Sequence, residues 1–190
     1  MRYTRCMAES AERGFLSVEE YLELEESSTV KHEYVGGMIH ALAGASDRHN
    51  RIAGNIFAAL LGAARGGPCR VYISDMKLQI SDVFYYPDVM VACEPPETEN
   101  PTYRSDPCLL VEVVSGSTEA TDRREKLLVY RNIPTVRAYL IVEQDQRRIE
   151  RHFRDDEGAW CRAELMDEGG FPLPCPPDAE LSLAEAYEGL

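Results

Sequence analysis

Two carboxylates stand where a strand sequence has little use for them. Asp88 follows Pro87 and precedes the apolar run Val89-Met90-Val91, and Glu112 interrupts the run from Leu109 to Val114. Side chains alternate along a strand, so Glu112 shares a face with Leu110 and Val114. A carboxylate in such company must be neutralised, paired or bound to a cation. Two of them on neighbouring strands, with a strand carbonyl such as that of Val113 beside them, form an oxygen donor set suited to Mg²⁺. Either acid alone reads equally well as a strand-end charge meeting a base or water; the two together point to a site. Lys126 and Asp122 lie four apart in the next helical segment and share a face. Lys126 either turns back towards Glu112, to orient a water or stabilise charge developing on a phosphoryl group, or forms a surface ion pair with Asp122. His49 is a candidate ligand or phosphate contact, or else a satisfied core histidine. Glu33 is a further candidate acid or an exposed strand-end charge. Arg123 and Arg124 read as a solvated face, or as phosphate contacts if the ligand is nucleic acid, and Asp75-Met76-Lys77 as an alternating strand without a second acid.

The elements that must hold these residues follow from periodicity. Ser17 and Glu20 form a capping box before a short helix at 18–25. Residues 32–43 alternate around Gly36-Gly37, as a hairpin does. From an N-cap at Asp47, residues Ile52, Ala53, Ile56, Phe57, Leu60, Leu61 and Ala64 recur at helical spacing until Gly66-Gly67-Pro68. Strands are predicted at 69–80, 84–93 and 108–115, the last buried on both faces. A helix from Ser117 to Asn132 ends before Pro134, and strands at 136–143 and 147–154 pair across a short turn. A short helix is expected at 182–188. The order predicts an α/β or α+β domain with a mixed sheet flanked by helices. Residues 1–16 are expected to be loose, 17–157 to form the domain, and 158–190 to be an acidic, proline-containing extension packed on or trailing it.

The chain has 190 residues and a net charge of −13. That charge sits at the ends: residues 1–30 carry −4 and residues 155–190 carry −9, leaving the middle neutral. A strong electrostatic footprint for DNA is absent, though a neutral core can still hold a basic groove. No stretch has the length and apolarity of a membrane span, and Arg2 and Arg5 lack the apolar run of a secretory signal. The six cysteines, no two closer than 14 positions, exclude C-x-x-C chemistry and are expected to be reduced thiols in a cytoplasmic protein. G-x-S-x-G, a Walker lysine loop and G-x-G-x-x-G after a strand are all absent.

The stretches HEYVGGMIHALAG, DRHNRIAGNI, FYYPDVMV and LLVEVVSGSTEATDRREKLLVYRNIPTVRAYLIVEQD resemble the bacterial Uma-two family of endonucleases, within the PD-(D/E)xK restriction-endonuclease-like superfamily. The resemblance covers roughly residues 18–155. It implies a restriction-endonuclease-like core and a nuclease that uses Mg²⁺ or Mn²⁺ held by Asp88, Glu112 and the Val113 carbonyl. It also implies a catalytic lysine. The superfamily pattern puts that lysine two residues after Glu112, where this chain has Val114, so Lys126 is its implied replacement. DNA is the expected partner, and a homodimer the expected assembly for cutting a twofold duplex. The other readings are a catalytically idle binding module on the same fold, or a hydrolase of small phosphoesters.

Overall fold

The computed structural model describes residues 15–93, 101–115 and 121–190, with the backbone alone at Thr121 and Asp122. Helix α1 (Val18–Ser27) opens on the expected capping box, Ser17 Oγ accepting from Glu20 N–H and Glu20 Oε2 from Ser17 N–H. The hairpin of β1 (His32–Val35) and β2 (Met38–Ala41) turns at Gly36 and Gly37, whose φ of 55° and 94° glycine reaches without a Cβ clash. Helix α2 (Asp47–Ala64) follows; its cap is Ser46, whose Oγ accepts the His49 N–H, one residue before the predicted Asp47. Then come β3 (Cys69–Ile73), β4 (Lys77–Ile80), β5 (Val83–Tyr85), β6 (Val89–Cys93), β7 (Tyr103–Arg104) and β8 (Leu109–Val114). A π-helical turn, Thr121–Lys126, runs into α3 (Leu127–Arg131). The chain continues through β9 (Ala138–Glu143), β10 (Arg148–Arg154), β11 (Trp160–Met166), β12 (Gly170–Pro172), β13 (Glu180–Ser182) and α4 (Leu183–Ala186).

The main sheet has six strands in the order β11-β10-β9-β8-β6-β3 and is mixed, since β8 and β9 run parallel and the other neighbours antiparallel. A second sheet has the order β2-β1-β5-β4-β7. On one face of the main sheet Val89, Val91, Leu109, Val111, Leu140 and Val142 pack against Ile52, Ile56 and Leu60 of α2. On the other face Met90, Leu110, Val114 and Tyr139 meet Tyr130 of α3 and Leu78 and Tyr85 of the second sheet. The outer face of that sheet stacks Tyr34 and Phe84 on Tyr21 of α1. The C-terminal residues belong to the same core: β11 is the edge strand, and Leu181, Leu183 and Tyr187 join the α2 layer.

Several expectations are corrected. The run 69–80 is two strands in different sheets, turned at Ser74 with φ 53°. The run 84–93 likewise splits at Tyr86-Pro87-Asp88, because Pro87 has no N–H to offer a ladder and the chain crosses there from the second sheet to the main one. The start of the predicted helix at Ser117 lies outside the described residues, as does Cys6. The thiols are not all reduced: Cys69 is bonded to Cys93 and Cys108 to Cys175, while Cys161 is free. Widely spaced cysteines give no local motif, yet the strands bring them into bonding range.

Candidate active site

The antiparallel register of β6 and β8 pairs Val89 with Val111. One step further along, Asp88 comes opposite Glu112. The Asp88 Oδ2 accepts the Val113 N–H at 2.7 Å and lies 3.2 Å from His49 Nε2, which the first turn of α2 presents. Glu112 is 4% exposed. Its Oε1 accepts from Lys126 Nζ at 3.1 Å and from the Tyr130 hydroxyl at 2.8 Å. Lys126 Nζ also lies 3.0 Å from Glu33 Oε1, contributed by β1. Alternation explains that placement: Tyr34 faces α1, so Glu33 faces the main sheet.

Asp88, Glu112, Lys126, Glu33, His49 and Val113 thus line one cavity of about 870 Å³. Four carboxylates, Glu33, Asp88, Glu112 and Glu125, share it with the ammonium groups of Lys126 and Lys31. Hard oxygen donors with that surplus of negative charge are the set a divalent cation such as Mg²⁺ requires, so the residues present fit the ion. Burial, with the Glu112 charge adding to it, holds the Tyr130 phenol well above its ordinary value, so the hydroxyl stays a donor to Glu112 at neutral pH.

The helical segment carrying Lys126 is fixed from its outer side. Arg123 spans Glu143 at the end of β9 and Glu150 in β10, and is no solvated residue as its sequence neighbours suggested. Arg124 is exposed as expected. Lys126 is 6% exposed, which rules out a surface ion pair for it. The Asp122 side chain lies outside the described residues. Val114, two residues after Glu112, is fully buried in the apolar cluster with Leu110 and Tyr139. Tyr130 was missed by sequence reading, although its spacing four residues after Lys126 puts it on the same helical face. The Glu150–His152 pair, at 2.6 Å within β10, also gave no signal; the arginines that contact it, Arg123, Arg131 and Arg162, come from other elements.

Comparisons with known proteins agree with this architecture. Two cyanobacterial relatives come from Synechocystis sp. (strain PCC 6803). "Uncharacterized protein slr1290" is 39% identical over 147 residues, covering 76% of this chain and 77% of the relative. "Uncharacterized protein sll1609" is 37% identical over 157 residues, covering 80% and 89%. Among solved structures, a "putative nuclease belonging to DUF820" from Anabaena variabilis superposes with a TM-score of 0.73 over 90% of this chain and 97% of that one. At 16% identity, that likeness shows a shared fold. The profile of the Uma2 family, described as "Putative restriction endonuclease", matches residues 18–185, and the chain belongs to that family.

Proposed function

We propose that this chain is a divalent-metal-dependent endonuclease that hydrolyses phosphodiester bonds of DNA through a PD-(D/E)xK-type site. The observation carrying the reading is the meeting of Asp88 and Glu112, set among apolar strand residues, with Lys126 of the following helical turn in one open cavity. In this reading Asp88, Glu112 and the Val113 carbonyl hold Mg²⁺ or Mn²⁺. Such an ion, when bound, polarises a phosphodiester and lowers the pKa of a coordinated water. The Val113 N–H fixes one Asp88 oxygen, and His49 flanks the same oxygen. Tyr130 orients Glu112. Lys126, held by Glu33 and Glu112 together, positions the attacking water or stabilises charge on the phosphoryl oxygens. We assign the chain to the cytoplasm, where its substrate is, and expect a homodimer when both strands of a duplex are cut. Among the described residues no helix is long and apolar enough to cross a membrane.

The test is cleavage of plasmid DNA with Mg²⁺ or Mn²⁺ against a chelator control. Asp88→Asn and Glu112→Gln should each lower the rate by about 100-fold or more. Parental rates in Asp88→Asn would refute the assignment. The idle binding module is favoured by Val114 and the charge of −13. It becomes the better reading if the parent binds DNA with a steep salt dependence yet cuts nothing.

A further inference from the structure

Four of the six cysteines converge at the opposite end of the main sheet. Cys69 opens β3, Cys93 closes β6, Cys108 precedes β8, and Cys175 lies between β12 and β13. Glu112 stands four residues beyond Cys108 and Asp88 five before Cys93, so the sulfurs lie about 13–16 Å along the strands from the carboxylates. The Sγ atoms of Cys93 and Cys108, one from each disulfide, are 3.5 Å apart. Those of Cys93, Cys108 and Cys175 all lie within 4.8 Å of one another. Two independent disulfides have no need of that approach. Sulfurs around a tetrahedral Zn²⁺, with Zn–S near 2.3 Å, are about 3.8 Å apart.

We propose that the reduced protein carries a thiolate site for Zn²⁺ here, with Cys93, Cys108 and Cys175 as ligands and Cys69 completing the tetrahedron. A dithiol reductant gives two electrons and two protons to each S–S bond and is itself oxidised to a disulfide. The freed thiols then lose protons as they bind the ion. The all-sulfur donor set selects a soft or borderline cation, unlike the oxygen set at Asp88 and Glu112. Its shell is apolar, with Val91, Leu109 and Leu173 in the same cluster, as befits a closed structural site. The ion would tie β3, β6, the start of β8 and the C-terminal segment together.

The full chain, reduced with a phosphine under anaerobic conditions and freed of excess reductant, is titrated with Zn²⁺ or Co²⁺. About one equivalent should bind at the thiolates, and Co²⁺ should give the thiolate-to-metal charge-transfer and d–d bands of a tetrahedral sulfur site. Zn²⁺ should protect Cys69, Cys93, Cys108 and Cys175 of the parent from alkylation, mapped by mass spectrometry, while Cys161 reacts. Cys108→Ser should lose the cobalt bands; Cys161→Ser and Asp88→Asn should keep them. The alkylation map uses the parent chain alone, so it decides the matter even where a core cysteine variant fails to fold. Equal alkylation of all cysteines with and without Zn²⁺, cobalt bands that survive in Cys108→Ser, or disulfides that resist reduction while the chain stays folded would each overturn the proposal.

Discussion

Replacing Lys126 with Met tests the charge balance of the site most directly. Met keeps most of the side-chain volume and removes the ammonium. Glu33 Oε1 and Glu112 Oε1 both contact that nitrogen, at 3.0 and 3.1 Å, so the two oxygens lie at most about 6 Å apart. At an effective dielectric constant of about 20, two negative charges at that separation repel by roughly 3 kcal/mol. Both carboxylates are also buried, 8% and 4% exposed, and removing one partner of a buried ion pair commonly costs about 3–5 kcal/mol. Lys126→Met should therefore lose about that much stability near neutral pH.

The assay is urea unfolding of parent and variant near neutral pH, with and without millimolar Mg²⁺. If the acids hold the ion, Mg²⁺ should stabilise the variant more than the parent, because the ammonium no longer competes for Glu112. An unfolding free energy within about 0.5 kcal/mol of the parent would refute the buried-charge argument.

Ile56→Ala should cost about 2–5 kcal/mol in urea unfolding, since Ile56 is fully buried between α2 and the main sheet; an unchanged midpoint would mean that the α2 face is not packed as described. Val114→Lys, which places a lysine two residues after Glu112, should be destabilising by melting temperature, because Val114 is fully buried in an apolar cluster. Burial pushes the His152 imidazole below its ordinary value, with Arg131 and Arg162 adding to the effect and Glu150 opposing it. The folded protein then binds fewer protons than the unfolded chain just below pH ~6.5, so His152 stability is complete above that pH and declines as pH falls. His152→Gln should flatten this part of the stability profile, and an unaltered slope between about pH 7 and pH 5 would count against it.

Local signals made much of this molecule legible. The α1 capping box, the Gly36-Gly37 turn and the α2 stripe each depend on residues a few positions apart, and each appears where the sequence puts it to within two residues or so. Asp88 and Glu112 were legible for a different reason, as charges among residues that belong in a core. That Lys126 turns back to Glu112 was legible as one of two readings, but its near-complete burial was not. It depends on Glu33, which a second sheet brings in from far upstream, and sequence neighbours such as Arg123 and Arg124 make the segment look like a solvated face. Arg123 misleads in the same way, because its partners Glu143 and Glu150 lie on strands that follow the helix.

Strand assignment carries the deeper lesson. Alternation says which side a residue faces but not which sheet its strand joins, so 69–80 and 84–93 read as two continuous strands. Each is in fact a crossing between sheets, and the second crossing builds the site. Pro87 cannot extend a ladder, so the chain leaves β5, passes Glu33, whose Oε1 lies 3.4 Å from the Tyr86 N–H, and enters β6 at Val89. Asp88 is thereby the last residue before the main sheet, where its carboxylate can turn to the Val113 N–H at 2.7 Å. Had 84–93 been one uninterrupted strand, Asp88 would lie within a ladder, and nothing would bring Glu33 of the second sheet alongside Glu112 of the first. The break that strand periodicity conceals is what brings acids from two sheets around one lysine.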